Sequence, residues 1–305
     1  MAPEMPGSQK IEILSVDLLE QNCPVVEELK KLARSLHLEF GWHYLLDLTW
    51  TIQNLGEIQG KRILDAGAGT GISQWFLAKA GAEVYSVDRL SRAALPPRFR
   101  RQFCVRGLRE ADLSSLQQSF IQVLNRPSSG PFYRRWAARL AALAIESAGY
   151  LASYQSIGKV IIYNQDLTNL AEIKDNSLDA IVAISSLEHN TQEGLELVVD
   201  ELMRVLKPGG VLLATLTAGC DQDWWHSASS GWCYTDTSLR RLFKLPPEAP
   251  SNYAHYDELF TRLKECAELR DNLARFYYQS PDKGMPKGVW NPEYQPVGVC
   301  KIKRA

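Results

Sequence analysis

Between residues 62 and 216 the sequence alternates short runs that are apolar on consecutive positions with stretches of helical periodicity. The runs are RILDAG from Arg62, EVYSVD from Glu83, KVIIYNQD from Lys159, LDAIVAISS from Leu178 and GVLLATL from Gly210. A strand apolar on both faces needs helices on each side, and parallel pairing needs a crossover between strands. The pattern therefore predicts an α/β fold built on a doubly wound, mostly parallel sheet. A chain of 305 residues with 45% hydrophobic and 23% charged residues buries such a core without staples, which excludes disordered and collagen-like classes.

Other segments surround this pattern. Val25, Val26, Leu29, Leu32 and Leu36 space an amphipathic helix over Pro24 to Leu38, and a second helical pattern runs through Leu45, Leu48, Ile52 and Leu55. Arg89 to Gly158 is far longer than a crossover needs, so it is read as an inserted helical cap with helices over Asp112 to Leu124 and Phe132 to Tyr154, broken at Pro127 to Pro131. Thr217 to Tyr234 reads as loop. Thr235 or Asp236 caps a helix to Phe243, one long helix spans about Tyr256 to Tyr277, and VGVCKIK is a final strand.

The strongest signal is Asp65-Ala66-Gly67-Ala68-Gly69-Thr70-Gly71 after the first apolar run. Glycines here let the backbone turn sharply and a ligand approach closely. A dinucleotide fingerprint requires glycine at position 72, which is Ile72. The D-x-G-x-G-x-G pattern instead resembles motif I of the class I S-adenosylmethionine-dependent methyltransferases. Residues 62 to 90 and 160 to 216 carry the resemblance closely. It implies a Rossmann-like, seven-stranded mostly parallel sheet with the last strand antiparallel and the cap inserted after strand two. Residues 1–60 are then N-terminal helices covering the cofactor site, and residues 61–305 form the methyltransferase domain, with the basic insert at about 89–158.

The resemblance also implies roles. Asp65 serves the cofactor's amino group, Asp88 the ribose hydroxyls, and Asp166 the adenine amino group, with Leu167 on the ring. Ala66, Gly67, Gly69, Gly71, Arg89 and Ser185 complete the expected cofactor set. Asp88 and Asp166 end successive strands, where open α/β sheets bind ligands. His189, in SSLEHN, is either a general base or an organiser of its loop, Glu188 supports the same turn, and His226 is a second candidate base. Trp42 and His43, with Tyr44, and the pair Asp223 and Trp224 are candidate substrate-site residues. Relatives with an E-x-x-E-H metal site have Glu where this chain has Ser185, so no metal is expected. Asn291-Pro292-Glu293-Tyr294 lies too late in the chain to grip a nucleic-acid base and is read as a turn.

Between Arg89 and Arg139 stand eleven arginines and two acids, although the whole chain has a formal net charge of −1. Such asymmetry points to an anionic partner or to pairing with acidic surface. A small-molecule acceptor or a phosphorylated or lipid-linked glycan is expected, methylated most readily at oxygen, and nucleic acid ranks below both. An aminopropyl transferase on the same fold and a non-catalytic cofactor-binding regulator are the alternatives. The six cysteines show no C-x-x-C spacing, and no apolar stretch is long enough to span a bilayer. A cytoplasmic protein, soluble or peripheral at a membrane surface, is expected.

Overall fold

The computed structural model describes residues 9–125, 131–151, 157–279, 285 and 288–304. Its strands are β1 (Lys10–Ile13), β2 (Arg62–Ala66), β3 (Glu83–Asp88), β4 (Cys104–Gly107), β5 (Lys159–Asn164), β6 (Leu178–Ile184), β7 (Leu206–Ala218), β8 (Trp224–His226), β9 (Gly231–Tyr234) and β10 (Gln295–Ile302). The helices are α1 (Asp17–Gln21), α2 (Cys23–Ser35), α3 (Tyr44–Leu55), α4 (Ser73–Lys79), α5 (Pro97–Gln102), α6 (Leu116–Leu124), α7 (Phe132–Leu151), α8 (Gln192–Val205), α9 (Asp236–Leu242), α10 (Tyr256–Lys264), α11 (Ala267–Asp271) and α12 (Phe276–Gln279).

The strands join one sheet in the order β1-β10-β7-β6-β2-β3-β5-β4, with β9 paired to β7 and β8 to β9. The pairs β7/β6, β6/β2, β2/β3, β3/β5 and β5/β4 are parallel, and β10 runs antiparallel to β7. The strands from β5 to β1 form the expected Rossmann-like seven-stranded core. Both faces are covered because neighbouring residues take opposite sides. Val84, Ile162, Val182 and Leu213 enter one core, while Tyr85, Ile161, Ile181 and Leu212 enter the other.

Several readings need correction. The insert is not purely helical, since Cys104–Gly107 adds β4 as a parallel edge strand and Pro97–Gln102 adds α5. A four-residue edge strand with exposed alternate positions carries no apolar run to betray it. The Thr217 to Tyr234 loop contains the β8–β9 hairpin. The helix expected over Tyr256 to Tyr277 divides into α10, α11 and α12, and the Trp290 indole donates to the Lys264 carbonyl at 2.7 Å where α10 ends. Lys10–Ile13, expected to fall among the N-terminal helices, is a strand burying Ile11 and Ile13 against β10. Arg126, the break at 127–130 and the expected helix end at Tyr154 lie outside the described residues.

The basic insert spends much of its charge internally. Arg98 pairs with buried Glu146 of α7, Arg100 donates to the Ser114 carbonyl at 2.6 Å and Ser119 Oγ at 2.8 Å, and Arg109 pairs with Asp112 at 3.0 Å. Among the described residues no helix is long and apolar enough to cross a membrane.

Candidate functional site

β2 ends at Asp65-Ala66, and the chain turns through Gly67 at φ +72° and Gly69 at φ +48°. A Cβ on Gly67 would stand 2.5 Å from Ser186 Cβ, and Ser186 Oγ donates to the Ala66 carbonyl at 2.7 Å. Glycine at 67 is thus required both by φ and by space. A Cβ on Gly71 would lie 3.1 Å from the Ala68 carbonyl oxygen.

A buried polar layer braces the turn from below. Gln74 Nε2 donates to the carbonyls of Gly71 and Gly69 at 3.1 and 3.3 Å, and its Oε1 accepts from Ser86 Oγ at 2.7 Å. The Arg92 guanidinium donates to Ser86 Oγ and to the carbonyls of Ser86, Tyr163 and Gly69, the last three at 2.6, 3.2 and 3.3 Å. Burial holds Arg92 below the ordinary arginine range, while Asp88 and Asp65 favour its charge. In the sequence Arg92 is one arginine among many in a basic stretch, and no periodicity marks it as the inward one.

Above the turn lies a cavity of about 470 Å³, within the roughly 300 to 1,000 Å³ of small-molecule sites. Asp65, Gly67, Gly69, Gly71, His43, Ser185 and His189 line it, whereas Asp88, Arg89, Asp166, Leu167, Trp42, Asp223, Trp224 and His226 do not. Ala66 is buried beneath the turn. Burial pushes the Asp65 carboxyl up to about 7, and Asp65 Oδ2 has no hydrogen-bond partner.

Asp88 ends β3 and Asp166 follows the end of the adjacent β5 by two residues; of the two, Asp88 meets the glycine turn. Asp88 Oδ2 accepts from the Gly69 amide at 2.8 Å and Oδ1 from the Leu90 amide at 2.8 Å. Asp166 Oδ1 accepts from the amide and hydroxyl of Thr168 at 2.9 and 2.6 Å, bonds that hold its carboxyl below the usual range. Arg89 is exposed nearby and favours the ionised Asp166, and Leu167 packs against the core.

The far wall begins at Ser185, held at φ +44°. Its amide donates to the Thr215 carbonyl at 3.0 Å, and its Oγ donates to Glu188 Oε1 at 2.5 Å. His189, exposed on the 3-10 turn Leu187–His189, bonds through Nδ1 to the Ser230 carbonyl at 2.9 Å. A carbonyl only accepts, so Nδ1 carries the proton and neutral His189 presents the Nε2 lone pair. His226 is buried with both nitrogens engaged, Nε2 to Glu293 at 3.1 Å and Nδ1 to Ser229 Oγ at 2.7 Å. Asp223 accepts from Thr235, Ser238 and Gln192, tying β8 to α9 and α8, and Trp224 packs on the core.

The roof comes from both ends of the chain. His43 Nδ1 donates to buried Asp47 at 2.7 Å, the Trp42 amide donates to Tyr277 Oη at 3.0 Å, and Phe40, Tyr44, Phe276, Tyr277 and Tyr294 complete an aromatic lining. Trp42 faces a second cavity of about 340 Å³ across the Leu38 to Gly41 segment. Sequence reading missed Phe276, Tyr277 and Tyr294; an aromatic pair ending a supposed helix and the Tyr of NPEY were the available signals. Among the described residues, no group of three or more His, Cys, Asp or Glu could hold a metal ion.

A family model described as "Methyltransferase domain" matches residues 130–214, from the insert through β5, β6 and most of β7. A search of curated proteins finds no match. Solved structures similar to this chain include the [4+2]-cyclase SpnF, at 15% identity and a TM-score of 0.47, covering 97% of this chain and 99% of that one. Others are phosphoethanolamine N-methyltransferase 2 of Haemonchus contortus, at 14% identity, TM-score 0.46, 95% and 60% coverage, and 1,6-didemethyltoxoflavin-N1-methyltransferase of Burkholderia thailandensis, at 11%, 0.43, 94% and 90%. The methyltransferase-domain match covers residues 130–214, and the strand order and the D-x-G-x-G-x-G turn are those that the resemblance to class I S-adenosylmethionine-dependent methyltransferases implies.

Proposed function

We propose that the protein transfers a methyl group from S-adenosylmethionine to a hydroxyl-bearing small molecule. The observation that carries this reading is the buried, unpartnered Oδ2 of Asp65, a residue lining the cavity beside a turn where Gly67 has no room for a side chain. A buried carboxyl oxygen without a donor fits an ammonium group, and the cofactor's amino acid end has one. The nucleoside would extend over Gly69 to the rim, where Asp88 retains lone pairs for the ribose hydroxyls beyond the two amides it accepts from, and Asp166 and Leu167 would receive the adenine.

When bound, the cofactor supplies an electrophilic methyl group on sulfur. The chain's task is to orient the acceptor, exclude water and take up its proton. His189 Nε2 is the proposed acceptor for that proton, and exposure lets the imidazole return it to solvent. His226, with both nitrogens occupied, is assigned to holding its loop. A phosphorylated or lipid-linked glycan is not carried forward: among the described residues lining the cavity, none is Lys or Arg.

Calorimetric titration with S-adenosylmethionine and S-adenosylhomocysteine tests the reading. Micromolar binding is expected, weakened by about 1 to 3 kcal/mol in Asp88→Ala, the scale of lost charge-assisted hydrogen bonds. His189→Ala should leave that affinity intact and lower turnover by about 10² to 10⁴. Binding of neither nucleoside would refute the proposal.

A further inference from the structure

We infer that Glu188 is the recognition group for a protonated amine on the acceptor, seated between its carboxylate and the aromatic wall. This rests on the reading that the cavity holds cofactor and acceptor together. Two acids line the cavity, Asp65 and Glu188, and each has one buried carboxyl oxygen, Oδ2 and Oε2, without a hydrogen-bond partner. Asp65 sits in the glycine turn and is accounted for by the cofactor's ammonium. Glu188 stands in the turn that follows the neighbouring strand β6 and needs a donor of its own.

The rest of the lining suits a cation. Glu188 is 1% exposed, and Ser185, in a left-handed conformation, pins Oε1 while Oε2 stays available. Burial raises the Glu188 pKa, so a cation is what would keep it ionised in place. Tyr44, Tyr277, Tyr294 and Phe276 line the same cavity, and aromatic rings attract ammonium groups. Among the described lining residues the only basic side chains are His43 and His189, and His43 already donates to Asp47. A carboxylate-bearing or phosphorylated acceptor would meet Asp65, Glu188 and Glu39 with no fixed positive charge in return.

The test uses the full chain saturated with S-adenosylhomocysteine, titrated by NMR with n-butylammonium, 1-butanol and butyrate. Butylammonium should bind at least about tenfold more tightly than butanol, the scale of one charge-assisted hydrogen bond, and butyrate should not bind. In Glu188→Gln the preference for ammonium over alcohol should fall below about twofold, with the S-adenosylhomocysteine affinity unchanged. Equal binding of amine and alcohol overturns the inference, as does a preference that survives in Glu188→Gln. A variant that loses S-adenosylhomocysteine affinity would put the carboxylate against the cofactor instead, which also overturns it. Should the variant not fold, the wild-type preference alone decides. Failure of the wild type to bind S-adenosylhomocysteine is a separate result and refutes the cofactor reading.

Discussion

Asp65 is the residue at which stability and ligand binding pull in opposite directions. Burial raises its carboxyl to about 7, whereas an unfolded aspartate titrates near about 3.9. Between those values the folded chain keeps a proton that the unfolded chain has released. The stability from this group is therefore full below about pH 4 and is lost as pH rises through about 7. Asp65→Asn, which has no charge to bury, should raise the urea midpoint of the ligand-free protein at pH 8 by a few kcal/mol's worth, on the order of the linkage implied by the shift. The same variant should lose cofactor affinity. Binding an ammonium demands the ionised carboxylate, so calorimetry in buffers of different ionisation heat should show proton release at pH 6 and almost none at pH 8.5. An unchanged midpoint at pH 8 would mean that water already solvates the carboxylate.

Whole elements differ in how plainly the sequence announced them. β2, β3, β5, β6 and β7 were legible because each is apolar on both faces, and α2, α8 and α9 because their buried residues recur at helical spacing. The glycine turn was legible for a different reason, since its spacing has few other uses. β4 and the β8–β9 hairpin were not, because they are short edge elements stabilised by their neighbours. The same holds for the site. Asp65 and the glycines are local motifs, but Phe276 and Tyr277 reach the cavity only through breaks between α10, α11 and α12 that no Pro or Gly marks, and Tyr294 reaches it from the segment just before β10. The cap helix α7 gives a test at this scale. Its one buried residue is Glu146, whose Oε2 also accepts from the Arg98 amide at 3.1 Å. Glu146→Ala removes the carboxylate that Arg98 pairs with, although Arg98 Nε still donates to the Leu36 carbonyl at 3.1 Å, and breaking a buried pair costs about 3 to 5 kcal/mol. Hydrogen exchange across 132–151 should accelerate strongly while S-adenosylhomocysteine affinity stays the same. A matching loss of affinity would show that the cap supports the cavity.

For the molecule as a whole, the cavity closes only when distant parts of the chain meet. Its floor is made by β2 and β6, and its roof by residues 38–44 joined to Phe276, Tyr277 and Tyr294 through the Trp42 amide and the Trp42–Tyr294 ring contact at 5.2 Å. The floor rests on both buried cores, whereas the roof residues Trp42, Tyr277 and Tyr294 belong to one of them and are joined to each other by a few hydrogen bonds and ring contacts. Roof opening is then the low-energy fluctuation, and the cavity contents decide how often it occurs. A ligand at 100 times its dissociation constant stabilises the state that binds it by about 2.7 kcal/mol. Saturating S-adenosylhomocysteine should therefore slow exchange about a hundredfold in peptides covering 38–44 and 273–279, as it should at the glycine turn 66–72, and leave α7 unaffected. Protection confined to 66–72 would mean that the nucleoside is held from below alone and that residues 38–44 and 273–279 shelter the acceptor rather than the cofactor.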